Sequence, residues 1–190
     1  MTVTHRWTVA DLAQLPDDDT RYEIVGGELY VSRQPHIYHQ QVCSDMTKLL
    51  GIWNDGTGLG RVIAAPGIIL SAEDAVAPDL IWISDYRFRS ALGDDGKLHQ
   101  APELIVEVMS EGKENELRDR EIKLALYSRY QVVEYWLADW RARSLDIYRR
   151  QPSRLTRAET IFGDQILRSP LLPGLSCEAE SIFAGVPADL

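Results

Sequence analysis

Two cysteines, three methionines and three phenylalanines are all that 190 residues hold of those types, and lysine is scarce beside arginine. The cysteines, Cys43 and Cys177, stand far apart in the chain, a spacing that offers neither a disulfide framework nor a thiol metal cluster. Their scarcity suits a reducing cytosol. No apolar run approaches the roughly 18 residues that a membrane span requires, and the opening residues lack a secretory pattern. A soluble, cytoplasmic chain with no membrane partner is the expectation. Internal repeats and low-complexity tracts are also missing. So is an excess of positive charge: the net charge is −9, which argues against a broad nonspecific grip on nucleic acid. A local basic surface remains open at the arginine pairs 87/89, 141/143, 149/150 and 154/157, whose plainer reading is a solvated face. With 45% hydrophobic and 26% charged residues, the chain is long enough to bury a full core, and one domain over residues 1–190 is expected.

What the sequence does contain is an apolar strand with an acid inside it. Leu104-Ile105-Val106-Glu107-Val108-Met109 reads as a central strand covered on both faces. Alternation puts Glu107 on the face of Ile105 and Met109, where its carboxylate is largely dehydrated unless a cation or donor meets it. The helix that follows supplies a cation. At 100° per residue, Glu116, Asp119, Lys123, Leu126, Tyr127 and Tyr130 share one side, and Glu114, Arg118, Glu121, Ala125, Ser128 and Arg129 share the other. The first side carries the large apolar groups and is expected to face the sheet, taking Asp119, Lys123 and Tyr127 inward. The second is expected to be solvated.

The rest of the chain reads as a mixed sheet with few helices. Thr8 caps a short helix ending near Pro16, followed by Asp17-Asp18-Asp19, a solvated acidic loop rather than a metal site. Arg21–Val25, Gly26-Gly27 and Glu28–Val31 form a hairpin signal. Glu23 shares a strand face with Arg21 and Val25, and the pattern leaves open whether it is exposed or part of a site. A helix from about His36 to Trp53 is expected to stop at Asn54-Asp55-Gly56; its His39 is a minor candidate whose plainer role is structural. Strands are expected near residues 61–64 and 68–70, a polar loop over 71–76, and a strand after Pro78-Asp79. An irregular connection spans 86–102. Beyond the central strand and helix come a strand pair at 134–138 and 144–148 and a hairpin over 157–167.

Asp79, Glu107 and Lys123 together suggest a chemistry. Two carboxylates on adjacent strands can hold a hard divalent cation, and a nearby lysine orients water or offsets charge during phosphodiester hydrolysis. Pro78-Asp79 followed by Glu107 in I-V-E-V-M resembles the PD-(D/E)xK superfamily of restriction-endonuclease-like nucleases. Met109 stands where that superfamily keeps its strand lysine, so Lys123 on the helix takes its place. That substitution fits one branch. Tyr22-Glu23 with Gly27-Glu28-Leu29, P-D-L at 78–80, P-E-L-I-V-E-V-M-S at 102–110, D-R-E-I-K-L-A-L-Y at 119–127, E-Y-W-L at 134–137 and L-P-G-L at 172–175 look like the Uma-type endonuclease family. The resemblance runs over nearly the whole chain, although S-E-G-K-E-N-E-L after Met109 replaces the more usual Ser-Pro-Ser-type loop.

The resemblance implies an α/β (α+β) fold, a restriction-endonuclease-like mixed β-sheet flanked by helices with an N-terminal β-hairpin. It implies an Mg²⁺- or Mn²⁺-dependent endonuclease acting on DNA, with Asp79, Glu107, Lys123 and Glu23 as catalytic residues. Asp79, Glu107 and the Val108 position form the metal set, supported by Asp119, Tyr127 and His39. A homodimer is expected, since cutting both strands takes two sites. The competing readings are a buried Glu107–Lys123 ion pair without chemistry, and an inactive nuclease fold kept as a binding or assembly module.

Overall fold

The computed structural model describes residues 5–16, 20–32 and 34–188 of the chain, so the acidic triplet at 17–19 lies outside the described residues. Helix α1 (Val9–Leu12) begins at Thr8, whose N–H and hydroxyl both donate to the Asp11 carboxylate at 2.8 Å. It ends before Pro16, its last turn closed by the Gln14 and Leu15 N–H groups. Strands β1 (Arg21–Val25) and β2 (Glu28–Ser32) form the expected hairpin, with Gly26 and Gly27 both at positive φ.

Helix α2 (Ile37–Thr57) runs through Asn54-Asp55-Gly56 instead of stopping there. Turn-forming residues at a helix end are overridden when the last turn is anchored: the Trp82 indole donates to Asn54 Oδ1 (2.9 Å) and the Trp53 indole to the Pro173 carbonyl (3.0 Å). Gly58, left-handed at φ +63°, terminates the helix by donating to the Asn54 carbonyl.

Next come β3 (Gly60–Ala64), β4 (Ile68–Ser71), β5 (Asp74–Val76) and β6 (Leu80–Ser84). The polar stretch at 71–76 is therefore not a loop. Its polar residues make the tight turn of a β4–β5 hairpin, in which the Ser71 hydroxyl donates to Asp74 (2.9 Å). The connection expected to be irregular begins with a helix, α3 (Asp85–Ala91), because Ser84 caps it by accepting from the Arg87 N–H.

Strand β7 (Leu104–Val108) is buried at every position. A helical rod follows: α4 (Lys113–Leu117), a π-helical turn over Arg118–Ile122, and α5 (Lys123–Arg129). The π turn corrects the projected faces. The Lys123 N–H reaches back five residues to the Arg118 carbonyl, and this extra residue rotates α4 relative to α5. Arg118, assigned to the solvated side, is consequently buried, while Leu117 is half exposed. Asp119, Lys123, Leu126 and Tyr127 are buried as expected.

The chain continues through β8 (Glu134–Asp139), β9 (Ser144–Arg150), β10 (Leu155–Phe162), β11 (Ile166–Leu167) and β12 (Cys177–Glu178), then a 3₁₀ turn over Ala179–Phe183. The expected hairpin over 157–167 does not form. After Gly163, at φ +58°, the chain is drawn away by bonds from Glu180 to the Gly163 carbonyl and from Ala179 to the Gln165 carbonyl, and β11 pairs with β12.

Six strands make the main sheet in the order β10-β9-β8-β7-β6-β3, antiparallel except where β7 and β8 run parallel across the helical rod. A second, antiparallel sheet has the order β2-β1-β5-β4. Alternation divides the core. Leu104, Val106 and Val108 of β7 pack with Val42, Met46 and Leu50 of α2 and with Ile182 and Phe183. Ile105 and Met109 face the other way, toward Leu126 and Tyr127 of α5 and Val25 of β1. Each large aliphatic group so buried stabilises by about 1.5–3 kcal/mol against exposure. Glu107 sits on that second face, between the main sheet and α5.

Candidate active site

Strands β6 and β7 pair with Leu80 opposite Val106, and the same register carried one step further sets Asp79 beside Glu107. Both carboxylates are buried, at 9% and 2% exposure. The Val108 N–H donates to Asp79 Oδ2 (2.9 Å), so Val108 enters the site through its main chain while its side chain packs under α2. Arg21 donates from Nη1 to Asp79 Oδ1 (3.0 Å), and His39 Nε2 lies 3.3 Å from Oδ2.

Lys123 is turned inward, 2% exposed. Its ammonium donates to Glu107 Oε1 (2.8 Å) and lies 3.2 Å from Glu23 Oε2. The Tyr127 hydroxyl donates to the same Glu107 oxygen at 2.6 Å, so both bonds fall on Oε1. Glu23 is buried, not exposed, and its other oxygen accepts from the Ala77 N–H (2.9 Å). Strand β1, paired with β2 and β5 in the second sheet, brings Glu23 to the helix. Asp119 is also buried, close to the Arg118 guanidinium (3.3 Å), while its carbonyl accepts from the Tyr135 hydroxyl (2.9 Å). Asp119 thus supports its neighbours, and its charge also acts on the Lys123 ammonium.

The electrostatics follow from crowding in a dry place. Burial and the charges of Asp79 and Glu23 outweigh Lys123 and hold the Glu107 carboxyl up at about 7. Burial also pushes Asp79 upward, but the His39 hydrogen bond and the charges of His39, Arg21 and Lys123 prevail and keep it well below the ordinary range. Glu23 is lowered in the same way, burial being outweighed by Lys123 and Arg21. Burial would lower Lys123, yet Glu107 and Glu23 raise it, so the ammonium stays charged. Burial likewise works against His39 protonation, and Asp79 overcomes it.

A cavity of about 380 Å³ opens on this set, with Arg21, Glu23, His39, Asp79, Glu107 and Lys123 in its lining. Two Arg21 donors, Nε and Nη2, are buried without a hydrogen-bond partner. A second cleft of about 510 Å³ shares Ser32, His39 and Arg118 with it and reaches His36, which is stacked on Trp140 at 4.7 Å.

The structure therefore brings Asp79, Glu107, Lys123, Glu23, Tyr127 and His39 into one cluster, with Asp119 one layer back. Sequence reasoning missed Arg21, Arg118 and Cys43. Arg21 had a signal, since it shares a strand face with Glu23; the π turn hid Arg118. Cys43 stands one helical turn after His39, with Sγ 3.6 Å from His39 Nδ1, and one donor atom each from His39, Cys43 and Asp79 lie within 4.8 Å of one another. The arginine pairs singled out as basic surface are largely turned to internal partners. Arg143 and Arg150 bond backbone carbonyls, Arg149 meets Glu134 and Glu159, and Arg87 meets Glu103.

The sequence profile of the Uma2 family, described as "Putative restriction endonuclease", matches residues 9–180. A crystal structure of a "putative nuclease belonging to DUF820" from Anabaena variabilis superposes with a TM-score of 0.76. It covers 95% of this chain and 99% of its own at 15% identity, a likeness that shows the restriction-endonuclease-like fold. The type IIG restriction endonuclease BpuSI aligns over 78% of this chain and 15% of its own, at 14% identity and a TM-score of 0.41. No curated protein matches the chain.

Proposed function

The chain belongs to the Uma2 family, and from that premise we propose that it is a metal-dependent endonuclease that hydrolyses phosphodiester bonds in DNA. The observation that carries the reading is the convergence of two buried carboxylates from neighbouring strands with a buried, charged lysine on the wall of one cavity.

The donor set suits a hard dication. Asp79 and Glu107 offer oxygen ligands, Glu107 Oε2 carries neither the Lys123 nor the Tyr127 bond, and the raised Glu107 carboxyl reports unrelieved crowding of negative charge. Mg²⁺ or Mn²⁺ held there supplies charge neutralisation at the phosphate and a lowered pKa for an attacking water. Lys123 is placed to orient that water or to offset charge developing on the phosphate. Glu23 holds Lys123 from the far side, and Tyr127 fixes the Glu107 rotamer. Val108 and Arg21 orient Asp79 through one oxygen each. One domain over residues 1–190, a twofold dimer able to cut both strands, and a cytoplasmic setting belong to the same proposal. In their support, one main sheet is flanked by two apolar clusters, and no helix among the described residues is long and apolar enough to cross a membrane.

The test is cleavage of labelled duplex DNA by purified protein with Mg²⁺ or Mn²⁺. Asp79→Ala and Glu107→Gln are each expected to lower the rate by about 100-fold or more. Wild-type protein that cuts no better than Asp79→Ala under any metal would overturn the reading.

A further inference from the structure

Cys43 has no part in the proposed hydrolysis, yet it is placed where a metal ligand would be. His39 and Cys43 stand four residues apart on α2, so their side chains project from one face of the helix. That face meets the start of β6, and Asp79 completes a triangle of nitrogen, sulfur and oxygen donors within 4.8 Å of one another. In a tetrahedral zinc site, with ligands about 2.0–2.3 Å from the ion, donors are separated by about 3.3–3.8 Å. The two shortest approaches, 3.3 Å between His39 Nε2 and Asp79 and 3.6 Å between His39 Nδ1 and Cys43 Sγ, fall on different ring nitrogens; with one nitrogen as the ligand the three donors lie within 4.8 Å of one another, and side-chain rotation closes them to this spacing.

The donor chemistry decides which metal. A thiolate and an imidazole beside one carboxylate favour a borderline or soft dication over Mg²⁺, which prefers an all-oxygen shell. The carboxylate is already oriented, since the Val108 N–H and Arg21 hold Asp79 as outer partners hold the ligands of a metal site. His39, Cys43 and Asp79 all line the same 380 Å³ cavity, which gives an entry path and room for a water in a fourth position.

The geometry points to a second metal site, made by His39, Cys43 and Asp79, that takes a zinc-class dication. Binding releases the Cys43 thiol proton and forms a metal–thiolate bond. Because Asp79 would be shared, zinc draws it away from the Mg²⁺ set and inhibits cleavage; this last consequence rests on the nuclease reading, whereas the binding does not.

The experiment uses the full chain, freed of metal, titrated with Co²⁺ as a spectroscopic stand-in for Zn²⁺. One equivalent is expected to produce thiolate-to-cobalt charge-transfer absorption that Zn²⁺ abolishes. Cys43→Ala is expected to lose the band while Cys177 remains, and its Zn²⁺ affinity should fall by on the order of 10–100-fold or more, at least the loss typical of an outer partner. Mg²⁺-dependent cleavage by Cys43→Ala should be unchanged but no longer sensitive to zinc. Absence of a thiolate band, or equal Zn²⁺ affinity in the parent and Cys43→Ala, overturns the site. A thiolate band in a protein that never cleaves DNA would uphold the zinc site while removing the nuclease reading.

Discussion

At the scale of single residues, the site is a balance of charges removed from water, and Glu107 is where that balance is poorest. Its carboxyl is held near 7, above the ordinary carboxylate range, because burial and three neighbouring acids, Asp79, Glu23 and Asp119, outweigh one lysine. A raised folded-state value sets the sign of its effect on stability. Between roughly pH 4.5 and 7 the unfolded chain has released the Glu107 proton while the folded chain keeps it, so this contribution is lost as pH rises through about 7. Glu107→Gln mimics the protonated form and escapes the loss. In metal-free protein, the stability of Glu107→Gln relative to the parent should therefore rise by about 2–3 kcal/mol from pH 5 to pH 8, measured by denaturant unfolding at each pH. A difference that stays flat across that range would mean the Glu107 carboxyl is not raised. Glu107 and Lys123 were legible in the sequence because a charged group inside an apolar pattern is conspicuous. Glu23 was ambiguous because a five-residue strand with polar groups on both faces does not reveal which face is covered.

At the scale of elements, the two decisive features are a helix that continues where turn residues predict an end and a helix that changes phase midway. Both are tertiary choices imposed on permissive sequence. In α2, Gly56 lies within the helix and a Cβ there would meet nothing within 4 Å, whereas Gly58 is at φ +63°, also with open space around it. Space does not distinguish them; backbone conformation does. Gly56→Ala should stabilise by about 0.5–1 kcal/mol through helix propensity, and Gly58→Ala should destabilise by about 1–2 kcal/mol through left-handed strain. Opposite shifts of the unfolding midpoint test this directly, and a shift of the same sign in both would place the helix end elsewhere. In the rod after β7, the π turn lets Arg118 and Lys123 both reach the interior, which a regular helix holding Lys123 inward would not do. A helical projection assumes a constant 100° step, so one inserted residue defeats it for everything before the insertion.

At the scale of the whole molecule, the charge of −9 and the internal use of arginines constrain how nucleic acid could be held. Few cations remain for phosphates. The salt dependence of DNA binding should accordingly be shallow, with a log–log slope of magnitude below about 4, measured by fluorescence anisotropy on Asp79→Ala protein with duplex DNA. A slope near 10 would show a broad basic surface and contradict this account. The same molecular view separates what the chain's order fixes from what its folding adds. Hydrophobic periodicity by itself determined the central strand, the inward face of α5, the N-terminal hairpin and the buried acid–lysine pair, because alternation and helical spacing report which side of an element faces a neighbour. Periodicity never says which neighbour. That Arg21, Glu23, His39 and Cys43 gather around Asp79 and Glu107, from elements far apart in the chain, was decided only when the hairpin and α2 packed at the same end of β6 and β7.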